Sequence, residues 1–287
     1  MVESAVTNLP NTLTQSGVGR RLELAMLAAQ SLGPALLAVR GTSISGVEDG
    51  DQLKTSIDRA AEGWVLGWLE SEFHGETVLA EERFSEANKS WQAPETYWTV
   101  DALDGTRSFI EGFPGFCIQL AWIDGGKPKL GIIVEPVAGR VYAAATGGGA
   151  WRLGPDGAWR RLGLRSISVA PLRFVDSIRP SGIVGDWLKT SSGTFVECGS
   201  CGLKLARIAE DSADLYAKRF RYRIWDVAPG QVLLDETGGQ LGQWDGSPVR
   251  YDTTQVEWSE LLVAPASIFS EAVQRLAVAT SDRQHIG

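Results

Sequence analysis

Two carboxylates, Asp101 and Asp104, lie between an apolar aromatic run and a Gly-Thr dipeptide, and this stretch constrains the fold most. Residues 97–100 favour a β-strand, and Gly105 with Thr106 favours a tight turn that opens a helix. Both carboxylates would then project from the turn, where the first free helical N–H groups, from Gly105 onward, face the same space. Hard divalent cations take oxygen ligands and helix N-termini bind phosphate oxygens, so the turn indicates metal-assisted phosphate chemistry. An Asp N-cap on an ordinary helix would give the same pattern.

Few residue types other than carboxylates are available for catalysis. The chain of 287 residues has two histidines, His74 and His285, which argues against a Ser-His-Asp triad or a His-rich zinc site. Its three cysteines, Cys117, Cys198 and Cys201, disfavour a disulfide framework. The last two have redox or zinc spacing, but no second pair exists to close a zinc site. We therefore expect carboxylates to carry out the chemistry.

Charge and hydropathy limit the partners and the compartment. The formal net charge is -8, so we expect no nucleic-acid polymer as a partner, because binding a polyanion relies on a basic face. Residues 22–39 form the longest apolar stretch, but polar residues, Gly33 and Pro34 interrupt it. It is predicted to be an amphipathic helix with a late kink or stop, not a membrane span. Residues 1–20 lack the continuous apolar region of a signal peptide, and we expect a cytoplasmic protein.

Two kinds of pattern divide the chain. In the first half, spacing and turn signals predict helices at 22–39 and 53–73 and strands at 77–80, 97–100, 116–123, 129–134 and 141–145. In the second half, predicted strands at 174–176, 194–196 and 261–263 alternate with predicted helices at 202–211, 226–236 and 267–278. We predict a layered α/β (α+β) fold with an antiparallel sheet in residues 1–160 and a mixed sheet in residues 161–287. The first half would bind metal, the second would hold substrate, and the two would share one cleft.

Acidic residues recur at the ends of the predicted elements. They are Asp58, Glu81, Glu82, Asp101, Asp104 and Asp226. Carboxylates that meet without a counter-ion repel one another, which raises their pKa values or destabilises the fold. Two or more divalent cations would remove that conflict and make an acidic pocket accept a phosphate dianion. The same residues could instead be scattered over solvated surfaces.

Several of these segments resemble signatures of the inositol monophosphatase superfamily. Residues 101–106 are similar to its Asp-Pro-(Ile/Leu)-Asp-Gly-Thr motif, with Ala102 in place of Pro, and residues 81–82 to its Gly-Glu-Glu motif. Residues 53–58 resemble its Val-Thr-x-x-Asp element, and residues 225–239 its second signature, Trp-Asp-x-Ala-Ala-Gly to Glu-Ala-Gly-Gly. The resemblance runs in the family's order from about residue 20 to 275. It implies an αβαβα sandwich of the sugar phosphatase type and a Mg²⁺-dependent, often lithium-sensitive phosphatase, usually a homodimer.

The resemblance also implies roles for individual residues. The metal ligands would be Glu81, Asp101, the Leu103 carbonyl, Asp104 and Asp226, holding two or three Mg²⁺ ions. Thr106, with Asp58, would orient and deprotonate the attacking water, and Glu82 is a further catalytic candidate. The N–H groups of Gly105 and Thr106 would hold the phosphate. Residues 45–51 lack the lysine often found in the family's mobile loop, which leaves a third metal open.

The substrate is indicated by the second half of the chain. Residues 200–216 and 243–251 resemble stretches of bacterial 3′-phosphoadenosine 5′-phosphate phosphatases. Lys204 is therefore predicted to contact a substrate phosphate. Arg219, in the basic run 218–223, could form an anion-binding wall or belong to a solvated edge strand. We expect a small-molecule phosphate ester as the substrate, first of all that nucleotide's 3′-phosphate. The alternatives are an inositol, histidinol, sugar or nucleoside monophosphatase, and a non-catalytic metal- and phosphate-binding regulator.

Overall fold

The computed structural model of the chain describes residues 9–42, 46–49, 52–84, 91–165 and 171–284. Its helices are α1 (Asn11–Thr14), α2 (Gly19–Val39), α3 (Ser56–Glu72), α4 (Thr106–Ile110), α5 (Gly182–Thr190), α6 (Cys201–Ala209), α7 (Ile224–Asp235) and α8 (Ala266–Gln284). Its strands are β1 (Gly46–Asp49), β2 (Gln52–Thr55), β3 (Val78–Ala80), β4 (Thr96–Asp104), β5 (Cys117–Asp124), β6 (Lys127–Glu135), β7 (Arg140–Ala145), β8 (Gly149–Leu153), β9 (Trp159–Arg161), β10 (Arg173–Asp176), β11 (Thr194–Glu197), β12 (Tyr216–Arg223), β13 (Gly239–Gly242) and β14 (Glu257–Pro265). His285 and part of segment 45–51 lie outside the described residues.

The first sheet has seven strands, β3 to β9, which are neighbours in chain order. All its pairs are antiparallel except β3 with β4, which is parallel, so the predicted antiparallel sheet is mixed at this edge. The predicted hairpin turns at Gly125 and Gly126, whose φ angles of 56° and 69° suit a turn that matches strand twist. Helices α2 and α3 cover one face of this sheet.

Helix α2 was predicted to kink or stop near Pro34, but it continues to Val39. By length and composition alone it could cross a membrane; half of its most apolar window is buried inside the protein. The predicted helix 53–73 begins at Ser56, because Gln52–Thr55 pairs with Gly46–Asp49 as a small hairpin.

Helices α6 and α7 form the middle layer. Ten residues of α7 are buried, which fits a helix covered on both sides. It packs closely on β6: a Cβ added to Gly131 would lie 2.2 Å from the Pro229 carbonyl oxygen, so only glycine fits there. Pro229 lies in the second turn of α7, and the helix continues past it.

The second sheet completes the layers. Strands β10 and β11 pair in parallel, and β12, β14 and β13 pair antiparallel. A bridge between Phe174 and Leu215 joins the two groups into the predicted mixed layer. Helices α5 and α8 cover its outer face with a third apolar core, which contains Trp187 and Phe269. The order is helices, sheet, helices, sheet, helices, and the predicted fold class is confirmed. Helix α5 was not predicted.

Candidate active site

Asp101 and Asp104 share one face of β4 because the strand contains a bulge. Asp101 pairs with Gln119 and Asp104 with Cys117, so three steps along β4 match two along β5. In a regular strand, side chains three residues apart point to opposite faces, and one extra residue returns them to the same face. The two carboxylates therefore belong to the strand itself. The prediction that they project from a turn was wrong in this respect.

A third carboxylate comes from the middle layer. Asp226 lies in the first turn of α7, and its Oδ2 accepts a hydrogen bond of 2.6 Å from the Arg223 N–H, which caps the helix. Asp101, Asp104 and Asp226 each place one carboxylate oxygen within 4.8 Å of the others. We call these three residues the acidic triad.

Glu81 and Glu82 follow β3, next to the triad. Because Ala80 pairs with Val100 in parallel, Glu81 lies beside Asp101, and its N–H donates to the Val100 carbonyl at 3.2 Å. The Glu81 carboxylate lies 4.0 Å from Arg223 Nη1. The Glu82 N–H donates to Glu62 Oε2 at 2.6 Å, which holds the turn against α3.

The carboxylates of the triad repel one another when they are ionised. Burial, followed by the charges of Glu81, Asp104 and Asp226, raises the pKa of Asp101 well above its usual range. Burial and the charge of Asp104 raise the pKa of Asp226 to about 7. Divalent cations would relieve this repulsion, and a set of oxygen donors suits a hard ion such as Mg²⁺. The donor chemistry of the triad therefore fits the predicted metal.

Asp58 and Thr106 meet beside this group. The Thr55 N–H and hydroxyl donate to Asp58 Oδ2 at 2.8 and 2.5 Å, in a capping box at the start of α3. Asp58 Oδ1 accepts from the Thr106 hydroxyl at 2.7 Å. The Leu103 carbonyl oxygen lies 3.3 Å from the same hydroxyl. The structure thus brings together the two residues for which the family resemblance implies water activation.

Gly105 forms the junction between β4 and α4. Its φ of 96° is left-handed, and a Cβ there would lie 2.6 Å from the Gly115 carbonyl oxygen. The first helical hydrogen bond runs from the Phe109 N–H to the Gly105 carbonyl. The N–H groups of residues 106–108 therefore have no acceptor within the helix. A phosphate site at this turn would need N–H groups of this kind as donors.

The residues that hold Asp104 were not predicted from the sequence. Asp104 Oδ2 accepts hydrogen bonds from the Ser200 hydroxyl at 2.5 Å, the Gly202 N–H at 2.8 Å and the Gln119 amide at 3.1 Å. Ser200 caps α6 by accepting from the Leu203 N–H, and it has a left-handed φ of 51°. One signal was available: Gln119 is a single polar residue inside an apolar strand sequence.

Lys204 and Arg219 occupy different surroundings. Lys204 is buried, and its Nζ lies 3.8 Å from Asp176 Oδ1. Lys218 Nζ donates to the same oxygen at 2.8 Å. Arg219 Nε donates to Glu260 Oε1 at 2.8 Å, and its guanidinium lies 4.5 Å from the Trp244 ring centre. The structure thus groups Arg219 with the outer core that contains Trp244, not with the triad.

A cavity of about 370 Å³ opens at the N-terminus of α5. We call it the cationic pocket, because its charged lining residues are Arg179, Lys218, Arg219 and Asp176. Arg179 is exposed and makes no hydrogen bond or ion pair with any residue that the structure describes. Lys204 contacts the wall of this pocket through Asp176.

The three cysteines are free and buried, in agreement with the predicted absence of a disulfide framework. Burial raises the pKa of the Cys117 and Cys201 thiols, so these groups stay protonated at neutral pH. Neither has the lowered pKa of a reactive cysteine.

Comparison with known proteins shows which proteins this chain is similar to. The pattern of the inositol monophosphatase family matches residues 20–280. The chain is 31% identical over 199 residues to the 3′(2′),5′-bisphosphate nucleotidase CysQ of Escherichia coli (strain K12), covering 69% of this chain and 78% of that one. It is 26% identical over 241 residues to the Nus factor SuhB of Xylella fastidiosa, covering 79% and 82%. The solved structure of an IMPase from Thermotoga maritima has the same fold, with a TM-score of 0.76 at 21% identity, covering 92% and 99% of the two chains.

Proposed function

Because the chain belongs to the inositol monophosphatase family, we propose that it hydrolyses a small-molecule phosphate monoester, with water as the nucleophile and Mg²⁺ as the cofactor. The observation that supports this most is the Asp58–Thr106 hydrogen bond of 2.7 Å beside the acidic triad. A protein that only bound phosphate would need the metal ligands, but it would not need a buried carboxylate aimed at a hydroxyl group.

The acidic triad, Glu81 and the Leu103 carbonyl would hold two or three Mg²⁺ ions. Bound there, the ions would lower the pKa of water and neutralise charge on the phosphoryl oxygens. The N–H groups of Gly105 and Thr106 would orient the phosphate at the start of α4.

Thr106 and Asp58 would move the proton. As the water attacks phosphorus, the Thr106 hydroxyl oxygen would accept the water's proton and pass its own hydrogen to Asp58 Oδ1. The ester P–O bond would break at the same time, and its electron pair would leave with the alcohol oxygen, which takes a proton from solvent. A threonine hydroxyl is a poor base by itself, so the buried carboxylate supplies the basicity. The Glu82 side chain, in the turn after β3, stays a further candidate for proton transfer.

The proposed substrate is the 3′-phosphate of 3′-phosphoadenosine 5′-phosphate or a related nucleotide. The relative named as a bisphosphate nucleotidase supports it, and so does the cationic pocket. In a protein of net charge -8, a cavity with three cationic residues and one acidic residue favours a second anionic group on the ligand. Lys204 would act at this end of the substrate through its contact with Asp176, and Arg219 would act there as part of the pocket lining.

Two other functions follow from particular observations. Inositol, histidinol, sugar or nucleoside monophosphates would use the triad but leave the cationic pocket without an anion. The relative named as a Nus factor is the comparison that bears on the other alternative, a non-catalytic metal- and phosphate-binding regulator. A cytoplasmic location and a homodimer stay predictions.

A phosphate-release screen tests the proposal. Chelator-treated protein is incubated with Mg²⁺ and each of four substrates: the nucleotide bisphosphate, inositol phosphate, histidinol phosphate and a sugar phosphate. We expect Mg²⁺-dependent release, with the highest kcat/KM for the bisphosphate. Release from none of them would favour the regulator, and a preference for a monophosphate would remove the nucleotide assignment.

A further inference from the structure

Gln119 lies between two predicted metal ligands without being a ligand candidate itself. It is fully buried on β5 and is the cross-strand partner of Asp101. Its amide nitrogen lies 3.1 Å from Asp104 Oδ2 and 3.4 Å from Asp101 Oδ2. The bulge in β4 turns both carboxylates toward this one side chain.

One oxygen of Asp104 is fully occupied by hydrogen-bond donors. Gln119, the Ser200 hydroxyl and the Gly202 N–H all converge on Oδ2, from β5 and from the start of α6. The Cys117 thiol lies 3.8 Å from the same atom as a fourth, weaker donor. A carboxylate oxygen offers two lone pairs, so these donors leave Oδ2 no capacity for a cation. Oδ1 accepts none of these hydrogen bonds, and it is the oxygen left for a metal ion.

The orientation of the Gln119 amide is determined by its surroundings. Turned the other way, it would direct Oε1 at two carboxylate oxygens, which repel it. In the observed orientation, Oε1 is buried and accepts no hydrogen bond within the described residues. A Cβ added to Gly202 would lie 2.2 Å from Oε1, so the glycine provides the space that Gln119 needs. A buried acceptor without a partner is costly, and two charge-assisted contacts at the other end of the amide offset that cost.

We propose that Gln119 is a positioning residue of the metal site, which fixes Asp104 as a ligand through Oδ1 alone and keeps Asp101 beside it. This rests on the proposed function, because it assumes that the acidic triad binds the catalytic metal. A neutral amide suits this position, because it donates to both carboxylates and, unlike lysine or arginine, does not compete with the cation for their charge. Replacing a side chain that orients metal ligands typically weakens metal binding by about 10- to 100-fold.

Direct metal binding tests this inference. Mn²⁺ is titrated into chelator-treated protein, and free Mn²⁺ is followed by electron paramagnetic resonance. Gln119→Met keeps the volume without a donor, and Gln119→Asn keeps an amide that is too short to reach both carboxylates. Ile118→Val, on the opposite face of β5, is the matched control. We expect both Gln119 variants to bind Mn²⁺ about 10- to 100-fold more weakly and the control to bind like the wild type.

The Mg²⁺ dependence of turnover separates positioning from general structural support. For a positioning residue, excess Mg²⁺ restores kcat, and the metal-free melting temperature changes little. Unchanged Mn²⁺ affinity in the variants would overturn the inference. The inference would also be overturned if excess Mg²⁺ did not restore the activity of the variants and their melting temperature were lower. If the wild type itself bound no Mn²⁺, the result would contradict the proposed function. If the wild type bound Mn²⁺ and the Gln119 variants bound it equally well, the result would contradict only the role of Gln119.

Discussion

The Thr106 hydroxyl donates a hydrogen bond of 2.7 Å to Asp58 Oδ1, although the two residues are 48 positions apart in the chain. The carboxylate has no freedom to turn away, because Thr55 occupies its other oxygen. Capping of α3 and the proposed proton transfer therefore use the two oxygens of one side chain.

Loss of the Thr106 hydroxyl should slow turnover without weakening metal binding. We expect Thr106→Val to lower kcat by about 10²- to 10⁴-fold, the usual range for removing general base assistance. Thr190→Val is the control, because among the described residues the Thr190 hydroxyl bonds only to nearby backbone carbonyls of α5. Steady-state kinetics at saturating Mg²⁺ provide the measurement, and a variant with wild-type kcat would remove Thr106 from the mechanism.

Stability without metal should fall as the pH rises. The pKa of Asp226 is raised to about 7 by burial and by Asp104, and the pKa of Asp101 is raised as well. A raised pKa means that the folded state holds the proton more tightly than the unfolded chain does. The stabilisation is complete below the unfolded pKa of about 4 and is lost as the pH rises through about 7.

Melting temperatures at pH 5.5 and pH 8 test whether stability without metal falls as the pH rises. Chelated protein should melt at a higher temperature at pH 5.5, and Asp226→Asn should reduce the difference. With Mg²⁺ the trend should reverse, because metal binding requires ionised carboxylates. The same pH trend with and without metal would contradict the assignment of the triad as ligands.

Gly105 should tolerate no side chain. In Gly105→Ala, the added Cβ would lie 2.6 Å from the Gly115 carbonyl oxygen, and the backbone would keep a left-handed φ of 96°. We expect this substitution to lower the free energy of unfolding by about 1–3 kcal/mol or more. Gly63→Ala is the matched control: its Cβ meets nothing within 4 Å, and α3 should gain about 0.5–1 kcal/mol. Urea titration measures the free energy of unfolding of both variants. Equal effects would show that the backbone at Gly105 is not a strained junction.

The cationic pocket should affect bisphosphates selectively. Arg179→Ala and Lys218→Ala should each raise KM for the nucleotide bisphosphate by about 10-fold or more, the effect of losing a charge-assisted hydrogen bond. KM for inositol phosphate should change little, because a single phosphate would occupy only the metal site. Arg275→Ala, which removes an exposed arginine paired with Glu271, is the control. Equal increases in KM for both substrates would show that the cationic pocket does not determine which substrate is preferred.

Much of the architecture follows from local pattern. The Asp124–Gly126 turn, the apolar runs around it and the helical spacing of α2 and α3 predicted the first two layers. These signals are short-range, and each is carried by residues that are close in sequence. The acidic residues at element ends were also visible, and the structure assembles Asp101, Asp104 and Asp226 into one triad.

The geometry that makes the site specific was not predictable in the same way. Residues three apart in a strand should face opposite sides, and nothing local in the sequence reveals the bulge that unites Asp101 with Asp104. The donors to Asp104 come from Gln119 and from Ser200, 96 residues away, through packing of α6 on the first sheet. Arg219 was considered as an anion-binding residue because it lies in the basic run 218–223, but its placement beside Trp244 and Glu260 depends on which face of β12 it occupies.

Anomalous diffraction from crystals grown with Mn²⁺ shows whether the acidic triad binds metal. We expect at least one strong peak bounded by Asp101, Asp104 and Asp226, about 2.0–2.3 Å from Asp104 Oδ1 and not from Oδ2. The Asp104→Asn variant, which keeps the shape without the charge, should weaken or lose the peak together with phosphate release. A map without any peak at the triad, from protein that still releases phosphate, would show that the triad does not hold the catalytic metal.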